Sequence, residues 1–360
     1  MVKCPRRSWG SMKILVVSDA WHPQLNGVVR TYEHLQEELG RRGHTVKVVG
    51  PSDFPFILPM PGYHEIKLVV KPYARLCRII DGWQANHIHI ATEGPLGMAA
   101  RRYCLKRKLP FTTSYHTQFP DYVAKRFGYY APFMYKPSHA AARAFMHWFH
   151  AKADAMLVAT QSLEDTLREW KFKTPMLRVS RGANLDLFYP GEKTLFRDLK
   201  QPVALYVGRI AIEKSIEDFL SMEWPGSKIV VGEGPAQLEL SKKYSTACFL
   251  GKKTGKDLAD CYRSADLFVF PSRTDTFGIV LVEALASGLP VAAYNVTGPR
   301  DIITEPFLGA LHASDLATAA KEALNRGRPE ERSQHVKKNY TWGNAAVQFE
   351  NAIRNYCVNT

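Results

Sequence analysis

The sequence predicts an α/β protein built from two Rossmann-like, doubly wound domains that face each other across a cleft. Three observations lead there. Short apolar runs alternate with helical patterns from Met12 to Ser180, and the alternation restarts from Val203 to Tyr294; such alternation builds parallel sheets with helices on both faces. The pattern breaks at residues 189–202, where Pro190, Gly191 and Pro202 mark a linker. A chain of 360 residues also suffices for two domains of ordinary size, each with its own core. The expected division is 12–188 and 189–342, with a terminal helix at about 343–357 packing back on the first domain.

In the first half, Met12 to Asp19 reads as a buried parallel-type strand. The loop His22 to Val29, with Asn26-Gly27 inside it, feeds a helix from Arg30 to Arg42, and Val46 to Gly50 completes a βαβ unit. Residues 51–72 read as irregular and proline-rich. A helix is expected at Tyr73–Trp83, a strand at His87–Ile90, a helix at Gly97–Arg107 and a strand at Phe111–Tyr115, which His116 follows. Met156–Ala159 is a strand, Ser162–Trp170 a helix capped by Ser162, and Leu177–Ser180 the last strand of this half. In the second half the expected strands are Val203–Gly208, Lys228–Val231, Cys248–Leu250, 267–270 and Val291–Tyr294. The helices start at Ser215 and Pro235 and cover Lys256–Ser264, 316–326 and 343–357.

Composition narrows the class. With 46% hydrophobic and 23% charged residues the profile is that of a water-exposed globular chain. No apolar run approaches the roughly 20 residues of a membrane-spanning helix. Residues 1–11 carry Lys3, Arg6 and Arg7, and the apolar run after them is too short for a signal-peptide core, so Met12 reads as the natural start and the protein as cytoplasmic. The six cysteines form no CxxC pair and are expected reduced and mostly buried. The net charge of +14 is unevenly spread: residues 1–190 hold 27 Lys/Arg against 14 Asp/Glu, residues 191–360 hold 21 against 20. Such asymmetry suits a polyanion met by the first half alone, an anionic membrane or a nucleic acid. No nucleic-acid-binding module or basic tail is present, so nucleic acid is not the expected partner. Residues 122–153 combine aromatics with Lys125, Arg126, Lys136, Arg143 and Lys152 and almost no acid. That stretch fits either a membrane interface or a core helix.

The chemistry concentrates at Ser272–Pro290, SRTDTFGIVLVEALASGLP. A buried strand ends at Pro271, a polar loop carries Asp275, and a helical pattern opens at Phe277 and Gly278. N–H groups of Phe277, Gly278 and Ile279 at a helix start would attract an anion. Asp275, and Glu283 eight residues on, would accept hydrogen bonds from sugar or ribose hydroxyls. Taken alone, the pattern is equally a helix with a polar start and one solvent-facing Glu. Gly208-Arg209 ends the first strand of the second half, with Lys214 five residues after Arg209, so two cations could flank one pyrophosphate. Gly232 opens a second glycine loop, Val231 to Pro235. Neither loop is a Walker A lysine loop, and no GxGxxG follows the first strand.

Together, the two Rossmann-like halves, Gly208-Arg209 with Lys214, the Gly232 loop, and Asp275 with Glu283 resemble retaining glycosyltransferases of the GT-B fold, in glycosyltransferase family four. The resemblance covers almost the whole chain from Met12. The family's E-x7-E motif stands here as D-x7-E, one methylene shorter at Asp275. The wording around it, with Ala91 to Gly97 and Thr113 to Phe119, is similar to the branch of glycolipid-forming and GDP-mannose-dependent enzymes. The resemblance implies a front-face, anomer-retaining transfer from a UDP- or GDP-linked hexose. In it, Arg209 and Lys214 stabilise the leaving pyrophosphate and Glu283 holds the ribose. Asp275 holds sugar hydroxyls, the Phe277–Ile279 helix start meets sugar or phosphate, and His116 lies near the transferring sugar. Gly27, Gly208 and Gly232 let the backbone approach the donor. No DxD or histidine cluster stands at a strand end, so metal-independent transfer without a cofactor is expected. The expected acceptor is a lipid, diacylglycerol or a related glycolipid, met on the cytoplasmic face of the inner membrane through residues 122–153. The alternative is a GDP-mannose-dependent mannosyltransferase acting on a soluble or polyprenyl-linked glycan. A two-domain sugar-phosphate binder without catalysis is a rival of another class.

Overall fold

The computed structural model describes residues 10–357 except 25, 61, 62, 117, 122, 123 and 125–130. The basic start at residues 1–9, Cys4, and residues 122, 123 and 125–130 of the aromatic-basic stretch lie outside the described residues.

The first sheet is all parallel. Its strands are β1 (Lys13–Val17), β2 (Thr45–Val49), β5 (His87–Ile90), β6 (Phe111–Ser114), β7 (Ala155–Val158) and β8 (Met176–Arg178), in the order β2-β1-β5-β6-β7-β8. Near-continuous apolar runs suit strands buried on both faces, and β1 buries Ile14 to Val17 completely. Helices α1 (Gly27–Arg41), α2 (Tyr73–Trp83), α3 (Pro95–Arg107), α4 (Tyr135–His150) and α5 (Gln161–Glu169) cover it. Residues 51–72 are not irregular throughout: β3 (Ile57–Met60) and β4 (Tyr63–Val69) pair as an antiparallel hairpin. Pro59 sits in a strand of this two-stranded ribbon, where a missing donor is tolerated. Helix α5 is capped by Thr160, whose side chain accepts from the Leu163 N–H, rather than by Ser162. Ser162 instead bonds through its N–H and hydroxyl to the Asp301 carboxylate.

The second sheet is also parallel, with β9 (Ala204–Val207), β10 (Lys228–Val231), β11 (Cys248–Phe249), β12 (Leu267–Phe270), β13 (Val291–Tyr294) and β14 (Gly309–His312) in the order β11-β10-β9-β12-β13-β14. Its helices are α6 (Ile216–Ser221), α7 (Gln237–Lys243), α8 (Gly255–Ser264), α9 (Ile279–Ala286), α10 (Pro299–Ile302), α11 (Leu316–Leu324) and α12 (Pro329–Asn339). β14 and α12 escape a sequence reading. GALH is too short to carry a period, and PEERSQHVKKN is polar almost all round and anchored by buried Arg332 and Val336.

Both sheets therefore reverse strand order once, between β1 and β5 in the first and between β9 and β12 in the second. Open α/β sheets bind ligands beyond the carboxyl ends of the strands at such switch points. The last helix, α13 (Trp342–Ile353), returns to the first domain. Trp342, Ala345, Ala346, Phe349 and Ile353 join the core of Ile14, Val16, Tyr32, Leu35 and Leu39, and Glu350 pairs with Arg42 at 2.6 Å. Cys77, Cys104, Cys248, Cys261 and Cys357 are free thiols, of which Cys104 and Cys261 are buried and Cys248 is exposed. Burial of the cysteines is thus less complete than composition suggests.

Candidate active site

The second-domain wall is built on the ends of β9 and β12. Two glycine loops, at Gly208 and Gly232, lie back to back. A Cβ on Gly232 would fall 1.9 Å from the Gly208 carbonyl oxygen, and Gly232 has φ +142. The Gly208 N–H donates to Val231 O at 3.0 Å, and Ile210 N–H to Glu233 O at 2.9 Å. Tyr206, buried under the loop, donates its hydroxyl to Arg209 O at 2.8 Å. The backbone carrying Arg209 is thereby pinned from below, and its guanidinium reaches to 4.0 Å from Glu213.

Lys214 closes a short 3-10 turn, Ile212–Lys214. Its Nζ lies 2.6 Å from Asp275 Oδ1, with both side chains about three-quarters buried. The two residues whose roles were read separately thus stand at one point, a cation and a carboxylate side by side. Gly298 lets this loop close, because a Cβ there would fall 2.9 Å from Asp275 O and 3.0 Å from Phe277 O. The helix begins later than the sequence pattern suggests. Phe277 is buried against Tyr340, Gly278 takes φ +88, and Ile279 is the first helical residue. Among the described residues no side chain caps this start.

Glu283 lies on the inner, not the solvent, face of α9. It accepts from the Tyr262 hydroxyl at 3.1 Å and from Arg30 Nη1 at 3.0 Å. Burial raises its carboxyl above the ordinary range, with Arg30 and Tyr262 pulling the other way.

The first-domain wall faces these groups. Asn26 caps α1, its Oδ1 accepting from Val28 N–H at 3.0 Å and Val29 N–H at 3.1 Å. Gly27 opens that helix, and a Cβ there would stand 3.9 Å from Ile279 Cδ1. The starts of α1 and α9 therefore meet across the cleft, with Arg30–Glu283 one turn behind. Thr276 adds a second bridge, donating its hydroxyl to His116 O at 2.5 Å while its own carbonyl accepts from Thr160 at 3.1 Å. His116 follows β6, and both ring nitrogens are engaged: Nε2 lies 2.9 Å from Tyr32 Oη and Nδ1 3.0 Å from Arg181 Nη2. Burial, with Arg181 and His89 nearby, holds its pKa well below the usual value. The ring is neutral at physiological pH.

Asp19 was missed, although an acid at a strand end beside a switch point was signal enough. It follows β1 and accepts from Leu96 N–H (2.8 Å), Gly97 N–H (3.2 Å) and Thr92 Oγ1 (2.9 Å). Burial raises its pKa to about 6. The Ala91–Gly97 wording is this cradle: a Cβ on Gly94 would fall 2.4 Å from Asp19 Cγ. Arg30 had no sequence signal, because its partner Glu283 is 253 residues away.

The structure thus joins Lys214 to Asp275 just before the start of α9, at a switch point, with Glu283 buried inside that helix and His116 hydrogen-bonded through its carbonyl to the same loop. With two doubly wound domains meeting at that point, the class is a glycosyltransferase of the GT-B fold. Comparison with known proteins agrees. The family described as Glycosyltransferase Family 4 matches residues 25–187, and Glycosyl transferases group 1 matches residues 192–341. The GDP-mannose-dependent alpha-mannosyltransferase of Mycobacterium tuberculosis is 28% identical over 327 residues, 83% of each chain. The alpha-monoglucosyldiacylglycerol synthase of Streptococcus pneumoniae is 27% identical over 354 residues, 87% of this chain and 78% of that one. The sucrose-phosphate synthase structure from Thermosynechococcus elongatus superposes with a TM-score of 0.74 at 22% identity, over 96% of this chain and 98% of that one. The chain belongs to glycosyltransferase family four.

Proposed function

We propose that the protein is a retaining hexosyltransferase that moves a sugar from a nucleotide-diphosphate donor to a lipid acceptor, diacylglycerol or a related glycolipid, at an anionic membrane surface. The observation that carries the donor half is the meeting of Lys214 with Asp275 at 2.6 Å beside the uncapped start of α9. The acceptor hydroxyl oxygen forms a bond to the anomeric carbon on the face that the donor phosphate leaves. The carbon–phosphate oxygen bond breaks with its electron pair going to the diphosphate, and the acceptor proton passes to a phosphate oxygen. Lys214 and Arg209 stabilise the charge that grows there. Asp275 accepts from sugar hydroxyls, Glu283 from the ribose, and the N–H groups at 277–279 meet sugar or phosphate. Gly27, Gly208 and Gly232 let backbone approach, and His116 lines the sugar side. The transfer is metal-independent in this reading, so activity survives chelation with EDTA.

The lipid half is supported by the basic first domain and by the synthase relative. On its surface, Met98, Leu105 and Trp148 are exposed. They line a groove of about 630 Å³ with Arg101, Arg102 and Lys106. Apolar groups rimmed by cations suit a headgroup interface. Among the described residues no helix is long and apolar enough to cross a membrane, and the enzyme sits on the cytoplasmic face of the inner membrane in this reading. The mannosyltransferase relative favours the second reading, GDP-mannose transfer to a soluble or polyprenyl-linked glycan. Thermal-shift screening with UDP and GDP, then transfer from their sugars to diacylglycerol in anionic vesicles, separates the two. Failure of every lipid acceptor with turnover on a glycan decides for the second, and no turnover with any donor overturns both.

A further inference from the structure

Behind His116 a line of buried polar side chains crosses the first sheet. Tyr32 Oη lies 3.0 Å from Ser114 Oγ and 2.8 Å from His89 Nε2, and Ser114 Oγ lies 3.0 Å from that same nitrogen. His89 Nδ1 is 2.8 Å from Thr112 Oγ1, Thr112 Oγ1 is 2.8 Å from His87 Nε2, and His87 Nδ1 is 3.0 Å from the Tyr356 carbonyl. His87 and His89 are fully buried. Neither helix packing nor the transfer chemistry requires histidines in the middle of a buried strand, HIHI.

The two ends fix the tautomer of each histidine. A guanidinium only donates, so Arg181 makes His116 Nδ1 an acceptor. Arg181 is itself held, donating to Val179 O at 2.6 Å and Ser180 O at 3.0 Å. A neutral His116 then carries its proton on Nε2 and donates to Tyr32 Oη. Tyr32 then donates onward, to His89 Nε2 at 2.8 Å or to Ser114 Oγ at 3.0 Å, and Ser114 can donate to the same nitrogen. At the far end a carbonyl only accepts, so His87 is protonated on Nδ1 and takes the Thr112 proton on Nε2. Thr112 has one proton, so it accepts from His89 Nδ1–H. The far end thus sets His89 as its Nδ1–H tautomer, with an unprotonated Nε2 that accepts from Tyr32 or Ser114. Burial lowers the pKa of all three histidines, which keeps them neutral.

We infer that Tyr32, Arg181 and the Ser114–His89–Thr112–His87 chain are positioning residues that hold His116 as its neutral Nε2–H tautomer and fix its ring plane against the cleft. The inference deepens the proposed function and rests on its placing of His116 on the sugar side. One end of the chain is the turn after α13, so the C-terminal helix that returns to the first domain also sets the ring of a cleft residue. A misplacement of about 1 Å at such a residue can cost about a hundredfold in rate.

The test is ¹⁵N spectroscopy of histidine-labelled full-length protein, with His116→Gln to assign one ring. The expected pattern is Nε2–H at His116 and Nδ1–H at His89 and His87. Any other pattern overturns the proposal, whether or not a donor has been found. Tyr32→Phe keeps the ring and removes the hydroxyl; Arg181 still holds the tautomer, but His116 Nε2–H loses its acceptor, so its signal should shift and kcat should fall by about ten- to a hundredfold, with donor KM within about threefold. Thr112→Val, nearly isosteric, should disturb His89 and His87 and lower kcat less. Arg181→Lys, which still donates, should keep the His116 tautomer and most of kcat, and Arg181→Met should lose both. Unchanged His116 signals in folded Tyr32→Phe would falsify the chain. Absence of turnover in the wild type would overturn the proposed function while the spectra still decide the tautomers.

Discussion

The two helix starts that face each other across the cleft are built alike in sequence and differently in structure. Each follows a strand-end loop, and each has a glycine at or just before its first residue. At α1 the residue before the helix, Asn26, is extended at φ −149, and its side chain takes two of the first N–H groups. At α9 the corresponding residue is Gly278, left-handed at φ +88, with no side-chain cap among the described residues. Four N–H groups at a helix start need acceptors from outside the helix. The first start has two of its N–H groups met by its own chain; the second has no side-chain cap among the described residues and follows the loop in which Asp275 meets Lys214. The cleft is therefore asymmetric. In the proposed reading the second domain supplies most of the polar groups for the donor and the first supplies a wall, with Arg30 reaching across to Glu283.

The sharpest way to break that comparison is to remove one group from each side. Lys214→Ala and Asp275→Ala should each lower kcat/KM for the nucleotide sugar by about 10²–10³-fold, the usual cost of deleting one group that stabilises developing charge. Asn26→Ala should stay within about threefold. Comparable losses on both sides, measured by initial rates over a donor series, would mean that α1 also binds the donor directly.

That asymmetry also marks where sequence reasoning stops. Alternating apolar runs reveal both sheets because a strand buried on two faces needs them, and Lys228–Val231 and Val291–Tyr294 match the expected bounds. Gly208, Arg209, Lys214, Asp275 and Glu283 stand out in the sequence through the family resemblance, and the structure brings Lys214 and Asp275 together. The partners of these residues are not legible. Arg30–Glu283, Thr276–His116 and Ser162–Asp301 join residues more than a hundred positions apart, and no local period encodes such a pairing. Polarity also misleads at caps. Ser162 looks like a cap, and the true cap, Thr160, lies two residues earlier because Ser162 is committed to the other domain.

Asp19 extends the comparison to α3, whose first N–H groups it takes from outside the helix. Its folded-state pKa, about 6 against an ordinary 3.8, is raised. A raised carboxyl pKa contributes stability that is fully present below the unfolded value and lost as pH rises through the folded one. The window is therefore about pH 4 to 6, and the contribution is on the order of 3 kcal/mol. Asp19→Asn should remove this slope, so that the gap in melting temperature between variant and wild type narrows or reverses from pH 4 to pH 7. A gap that is constant across that range would show that Asp19 is already ionised in the fold.

Arg30→Met tests the reach across the cleft. It leaves the buried Glu283 carboxylate with Tyr262 alone and pushes its pKa further up, so the loss grows as pH rises. At pH 8 the variant should be less stable by about 2 kcal/mol, because a buried charge has lost its partner. At pH 5 protonation of Glu283 relieves part of that loss. Urea midpoints at the two pH values read the difference, and equal shifts at both would place Arg30 outside the energetics of Glu283.

The smallest effect tests the closed helix start itself. Asn26→Ala leaves Val28 and Val29 N–H without their side-chain acceptor and should cost about 1 kcal/mol of stability. Asn26→Asp should go the other way by a few tenths, since a carboxylate both caps and suits the helix dipole. The same aspartate also brings negative charge to the cleft wall that faces α9. If a diphosphate binds between the two starts, Asn26→Asp should raise the donor KM while raising the melting temperature, whereas Asn26→Ala lowers the melting temperature with little change in KM. Opposite movements of stability and KM in one variant separate a wall that holds the fold from a wall that touches the ligand, which the two larger mutations alone cannot do.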